Sequence, residues 1–203
     1  MDTTEKWAAV DKERARVADL LDDLSEVEWT HPSLCENWRV LDVAAHLTAG
    51  PHMSVLAALK AFVKARGNFN RMVYATAKDL AATKTRAELV GLIRQSVGSR
   101  RLAPSQSLDN ALMDVHVHAQ DIAIPLGRHL PMPVEAAVAS ADHLWEIGFP
   151  FHARRKWSGR RLIATDAEWS AGEGAEISGP IEALVMLLAG RTATVPRLSG
   201  ITP

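Results

Sequence analysis

The stretch 107–127, SLDNALMDVHVHAQDIAIPLG, constrains the fold of this chain more than any other. Leu108, Leu112, Val115, Ala119, Ile122 and Leu126 recur at alternating spacings of four and three residues. On a helix they form one apolar stripe that has to be buried against other helices. Ser107 is placed to cap the start of this helix and Gly127 to stop it. Beside the stripe runs a second row, Asp114, His118 and Asp121. Asp114 and His118 are one turn apart, share a face and can reach one ion, at the position where helical bundles build metal sites. An amphipathic helix whose polar residues merely flank its buried face has the same pattern, so the helix alone leaves both readings open. His116 is two residues from each of the pair, about 200° around the helix, and points away from them.

The remainder of the first three-quarters reads as more helices joined by short connections. Thr3 or Thr4 can cap a helix running to about Ser25, with Trp7, Val10, Val17, Leu20, Leu21 and Leu24 inward. EVEWTHPSLCENW, with Pro32 and several aromatic residues, is expected to be a packed loop. A helix from near Arg39 carries Val40, Val43, Ala44 and Leu47 inward and is interrupted at Gly50–Pro51, with helical pattern resuming from about Met53 to Arg66. Helices follow over Phe69–Ala82, over Arg86 to about Val97 behind a Thr85/Glu88 capping box, and from Val134 to about Gly148. This pattern predicts an all-α bundle over 1–150. After it, RRLIATD at 160–166 and the stretch Ala175–Gly179 are strand-like, and Pro180 opens a helix stopped by Gly190. Residues 151–203 are therefore expected to be a small α+β appendage packed on the bundle.

Composition removes several classes of function. A net charge of -1 offers no basic surface for nucleic acid or an anionic membrane, and no apolar run approaches the length of a membrane span. Cys35, the one cysteine, allows no intrachain disulfide, which fits a reducing cytoplasm, and the N-terminal residues lack the apolar core of a signal peptide. His46 lies at the edge of the apolar face of its helix. It suits either a third metal ligand or a core-edge histidine hydrogen-bonded to a neighbour. Cys35 reads as a small buried hydrophobe, Trp29 and Trp38 as packing for their loop, and Asp121 as a structural hydrogen-bonding group or a support for a ligand. The basic run Arg154, Arg155, Lys156, Arg160 and Arg161 reads as a solvated face, with the alternative that some of it meets an acidic substrate.

Three segments resemble the mycothiol-dependent maleylpyruvate isomerase family within the DinB-like superfamily. PSLCENWRVLDVAAHL is similar to its N-terminal signature, with Pro32, Cys35, Trp38, Val40, Asp42, His46 and Leu47 at the patterned positions. Asp114, Val117, His118, Asp121, Ile122, Leu126 and Gly127 fit a second signature, and 164–191 is similar to the family's C-terminal tail. The resemblance implies a DinB-like four-helix bundle holding one divalent metal, usually zinc, on His46, Asp114 and His118. It also implies mycothiol as thiol cosubstrate, and a catalytic or substrate-binding role for Arg191. Three positions depart from the family. Asp114 stands where glutamate is usual, Glu36–Asn37 follow Cys35 in place of Pro-Gly, and Ala119 replaces a frequent glycine. Two imidazoles, one carboxylate and an open position are the layout of a catalytic zinc site, where a bound thiol becomes thiolate at neutral pH. The expected activity is attack by a metal-bound thiolate on a small electrophile, ending in isomerisation or thiol transfer, in a monomer or homodimer. The other classes left open are a bundle enzyme using another thiol or water, and a non-enzymatic metal- or ligand-binding protein.

Overall fold

The computed structural model of the chain describes residues 1–104 and 106–201. Ser105 and the last two positions of the expected C-terminal extension lie outside it. The fold is mainly helical with one small sheet. Helices α1 (Thr3–Asp22), α2 (Glu26–Thr30), α3 (Val40–His52), α4 (Val55–Lys64), α5 (Phe69–Thr83), α6 (Arg86–Gln95), α7 (Leu108–Ala123) and α8 (Val134–Glu146) come first. They are followed by the short α9 (Ala153–Lys156), strands β1 (Arg160–Ala164), β2 (Ser170–Gly172) and β3 (Ala175–Gly179), and α10 (Ile181–Leu188).

Four of these helices close the bundle: α1 packs on α6 and α7, and α3 packs on the same two. Between them lies a core that includes Val17, Leu21, Val43, Leu89, Ala119 and Ile122, so the stripe read from 107–127 is buried as the periodicity requires. Helix α5 lies against α3, and α8 against α7. A second core sits on the opposite side of α7. There Met113 and Val117 meet Leu144 of α8, Leu162 and Ile177 of the sheet, and Ile181, Leu184 and Leu188 of α10. Covered on two sides, α7 buries eleven of its residues, well beyond the single stripe its sequence shows. In the sheet β1 is central, antiparallel to β2 and parallel to β3. No helix of the described residues is long and apolar enough to cross a membrane.

Local chemistry sets the boundaries, and several differ from expectation. The first helix is capped by Asp2, not Thr3 or Thr4, because Asp2 accepts the Glu5 amide at 2.9 Å while Glu5 accepts the Asp2 amide at 2.7 Å. Ser25 does not end that helix; it forms a second capping box with Glu28 and starts α2 inside the segment expected to be loop. Gly50–Pro51 does not break α3. Pro51 lies in its last turn, and the interruption comes at Met53–Ser54, where Ser54 caps α4. Pro180 caps α10 without entering it, and β2 is too short to have left a pattern in the sequence. One helix end follows the glycine rule: Gly190 adopts φ of 84° and Arg191 donates back to Met186. Helix α7 instead ends at Ala123, with Ile124 as its C-cap ahead of Pro125, and Gly127 (φ 63°) closes the turn that follows, where Arg128 donates to Ala123.

The start of α3 is held by Asp42, which is fully buried. It accepts the Arg39 backbone amide at 2.8 Å, Nε and Nη2 of the Arg39 guanidinium, each at 3.1 Å, and Lys78 of α5 at 2.8 Å. Burial pushes its carboxyl up, but the bonds from Arg39 and Lys78 outweigh burial and hold it below the usual carboxylate range. A depressed native value stabilises the fold above the unfolded-state value, near 3.9, and the contribution disappears as pH falls through the lower native value. Asp42→Asn is expected to lose about 1.5–3 kcal/mol in urea unfolding at pH 7. The gap between variant and parent should close as pH is lowered from 5 towards 2; a gap constant over that range would show that Asp42 does not act through its charge.

Candidate metal centre

Four segments meet at one end of the bundle. Helix α3 presents His46, α7 presents Asp114, His118 and Asp121, the loop after α2 brings Cys35 and Trp38, and the turn after α10 brings Arg191. The loop is positioned by its backbone. Leu34 donates its amide to the Asp121 carbonyl at 3.1 Å, and the Ser33 amide donates to the Trp38 carbonyl at 2.9 Å. Arg191 is fixed by the glycine stop at Gly190 and by its own Nη1, which donates to the Ala189 carbonyl at 2.6 Å.

His46, Asp114 and His118 converge. Asp114 Oδ1 lies 3.5 Å from His46 Nε2 and 3.5 Å from His118 Nε2. The rings of the two histidines stand edge to face with centroids 4.7 Å apart. A separation of 3.5 Å is poor for a hydrogen bond. It is close to the edge of a tetrahedron with metal–ligand bonds of about 2.05 Å, which is roughly 3.3 Å. Two imidazole nitrogens and a carboxylate oxygen, all within 4.8 Å of one another, could hold a divalent cation. Asp114, although one methylene shorter than glutamate, brings an oxygen to a point equidistant from both rings. The three side chains are 19%, 31% and 12% exposed in the order His46, Asp114, His118, and the exposure opens into a cleft of about 510 Å3.

The charges of the site suit a cation. Burial pushes the Asp114 carboxyl up, but His46 and His118 overcome this and hold it far below the usual range, so it is ionised. Burial disfavours a charged His118, yet Cys35, Asp114 and Asp121 around it raise its pKa well above the ordinary value. This surrounding of donors and anions favours positive charge at the point His118 faces, whether carried by a proton or by a metal ion.

The other face of His118 is closed. Its Nδ1 donates to Asp121 Oδ2 at 2.8 Å. Asp121 is fully buried and also accepts Arg191 Nε at 2.9 Å, Arg191 Nη2 at 2.6 Å and the Cys35 thiol at 3.0 Å. Cys35, His118 and Asp121 form a second convergent donor group, but these atoms already satisfy one another, whereas those of the first group do not. With Nδ1 protonated, the Nε2 lone pair of His118 points towards Asp114 and His46.

Two expectations are extended here. Cys35 packs against the edge of the bundle core, as a small hydrophobe would, but its sulfur also donates to Asp121 and accepts from Arg191 at 3.3 Å. Trp38 does more than pack its loop. Its ring stacks on His118 with centroids 6.3 Å apart and meets the edge of His46 at 5.3 Å, walling one side of the cleft. Both stand in the Pro32–Leu47 signature, which marked them without giving their partners. His116 is buried on the far face of α7, where its Nδ1 donates to the Leu112 carbonyl at 2.8 Å and its Nε2 lies 3.9 Å from Glu13 of α1. It takes no part in the centre.

The structure is similar to the crystal structure of a mycothiol-dependent maleylpyruvate isomerase, with a TM-score of 0.67 and 16% identity over 100% of this chain and 95% of that one. It is also similar to a mutant of a mycothiol-dependent maleylpyruvate isomerase in which a histidine is replaced by alanine, with a TM-score of 0.62 and 17% identity over the same shares. No curated protein matches the sequence significantly. The profile of the mycothiol maleylpyruvate isomerase N-terminal domain matches residues 10–123, a span from α1 to α7 that includes His46, Asp114 and His118, and this chain belongs to that family.

Proposed function

We propose that this protein is a metal-dependent enzyme that uses mycothiol, a low-molecular-weight thiol of the reducing cytoplasm, to attack a small electrophile. The observation that carries the reading is the convergence of His46 Nε2, Asp114 Oδ1 and His118 Nε2 at the floor of an open cleft. Family membership supports it independently. A divalent cation, zinc by the chemistry of two imidazoles and one carboxylate, supplies Lewis acidity that makes a thiol acidic enough to react near pH 7.

The chain's own residues then have distinct tasks. His46, Asp114 and His118 hold the cation. Asp121 holds the proton of His118 on Nδ1, and Arg191 holds Asp121, so Arg191 acts as a positioning residue through that carboxylate. Trp38 fixes both imidazole planes. The sulfur nucleophile loses its proton and forms one bond to an electrophilic carbon. With an activated alkene, addition, rotation and elimination of the same thiol give an isomer and regenerate the thiol. With a carbon bearing a leaving group, the product is a thioether and the leaving group departs with its electron pair.

The activity test is conjugation or isomerisation of an electrophile panel by the zinc-loaded protein with mycothiol, with another thiol, and with no thiol. Turnover that depends on mycothiol supports the reading. Equal turnover with other thiols or water moves the protein to a different cosubstrate, and no turnover with any pairing favours a binding protein.

The ligand set gives two further expectations. His118→Ala should abolish zinc binding, while His116→Ala should leave zinc content per folded protein nearly intact, measured by metal analysis after dialysis; equal loss from both would break the assignment of faces on α7. Asp114→Ala should weaken zinc affinity at least tenfold, about 1.4 kcal/mol, in chelator competition at fixed pH. Asp114→Glu should retain or strengthen it. If Asp114→Ala binds zinc as well as the parent, the three residues are not the ligand set.

A further inference from the structure

Helix α4 is built inside out. With about 100° of rotation per residue, Val55, Leu56, Leu59, Phe62 and Val63 fall on one arc of about 120°. Such a stripe ordinarily faces a core, but this one faces solvent: Val55, Leu56, Leu59 and Val63 are 58–73% exposed, and Phe62 is 40% exposed. The helix rests on α5 and turns its small residues towards the fold. Ala58 and Ala61 are half-buried, Ala65 at the C-cap is buried, and none of the ten residues of α4 itself is buried. Exposed apolar surface continues beside it. Phe69 at the start of α5 stands edge to face with the exposed ring of Phe149, centroids 5.7 Å apart. Ala58 and Phe69 also line the cleft, so this surface borders its mouth.

Charge is unevenly placed around the stripe. The net charge of -1 comes from 23 Lys and Arg against 24 Asp and Glu, yet no acidic residue lies between Asp42 and Asp79, a stretch that carries Lys60, Lys64, Arg66, Arg71 and Lys78. Lys78 is committed to the buried Asp42. Lys60 and Lys64 on α4, Arg66 in the turn after it and Arg71 on the first turn of α5 are exposed. Lys64 lies 3.3 Å from Asp79, but both side chains are in solvent, where such a pair is weak and readily exchanged. Excluding an anionic membrane on net charge averages over this local asymmetry.

The same features select an occupant for the stripe. Pairing α4 with α4 of a second copy across a two-fold axis sets Lys60 and Lys64 of one beside those of the other, which repel. A specific protein partner takes its register from directional polar contacts, and VLAALKAFVK contains no side chain that accepts a hydrogen bond. An anionic lipid surface asks for apolar insertion and positive charge, and this face supplies both. We infer that α4 docks the protein on anionic membrane: Val55, Leu56, Leu59, Phe62 and Val63 enter the boundary between headgroups and acyl chains, and Lys60, Lys64, Arg66 and Arg71 meet lipid phosphates. Docking in this way sets the mouth of the cleft beside the lipid. The inference goes beyond the enzymatic reading and does not depend on it.

Co-sedimentation of the full chain with vesicles tests it, with no thiol present and no turnover required. The protein is expected to bind vesicles of equal parts phosphatidylglycerol and phosphatidylcholine at least tenfold more tightly than vesicles of phosphatidylcholine alone. Raising the salt from about 0.05 M to about 0.5 M should weaken binding to the mixed vesicles at least fivefold. The combined substitution Leu56→Ser, Leu59→Ser and Val63→Ser should weaken it at least tenfold while leaving the circular dichroism spectrum unchanged, because these side chains stand in solvent. Lys60→Gln with Lys64→Gln keeps the apolar stripe and should weaken binding at least threefold and flatten its salt dependence. No binding to the mixed vesicles, equal binding to both compositions, or binding unchanged in either variant overturns the inference. So does a concentration-dependent dimer in sedimentation velocity that the triple serine variant abolishes, since that result assigns the stripe to a second copy of the chain.

Discussion

The buried carboxylate of Asp121 is the interaction on which the rest of the centre depends. An anion fully removed from water is tolerable only with close donors on its oxygens. Those donors come from three separate parts of the chain: His118 one turn back on α7, Cys35 from the loop after α2, and Arg191 from the turn after α10. Satisfying Asp121 therefore docks the loop and the C-terminal turn onto α7 at one point. The same set of bonds decides which nitrogen of His118 carries the proton, and so which nitrogen is free to face Asp114 and His46. Structural cohesion and the orientation of the His118 ring are one arrangement here.

That arrangement explains why the small sheet and α10 accompany the bundle. Helix α7 has two buried sides. One completes the ring formed with α1, α3 and α6, and the other is covered by α8, β1, β3 and α10. Packed on both sides, α7 has little freedom to shift or rotate, and its row Asp114–His118–Asp121 is held between the two cores. The glycine stop at Gly190 turns the chain so that Arg191 meets Asp121; a residue with a β-carbon would resist the left-handed backbone this needs.

Asp114 shows that a short side chain suffices here: it places an oxygen 3.5 Å from each imidazole nitrogen. The rings themselves are fixed by Trp38 and by the bond from His118 to Asp121, so the site does not rely on a long carboxylate arm to reach across a gap.

The sequence by itself determined what depends on neighbours within a few positions. The apolar spacing of 107–127 fixed a helix and its buried stripe, the Thr85/Glu88 pair fixed the start of α6, and the glycine at 190 fixed the end of α10. Spacing also put Asp114 and His118 on one face and His116 on the other. Resemblance to a family added His46 and Arg191, which no local pattern could join to α7. Only the tertiary structure decided the rest. Cys35 read as no more than a small hydrophobe because nothing nearby in the chain reveals that Asp121, 86 positions away, will be its partner. Trp38 resembled loop packing until two imidazoles from different helices were set against it. Pro51 resembled a helix breaker, yet in the last turn of α3 it is accommodated. Periodicity and capping are properties of a few consecutive residues, whereas the closing of a buried charge, the stacking of rings and the second face of α7 arise only when distant segments share the same space.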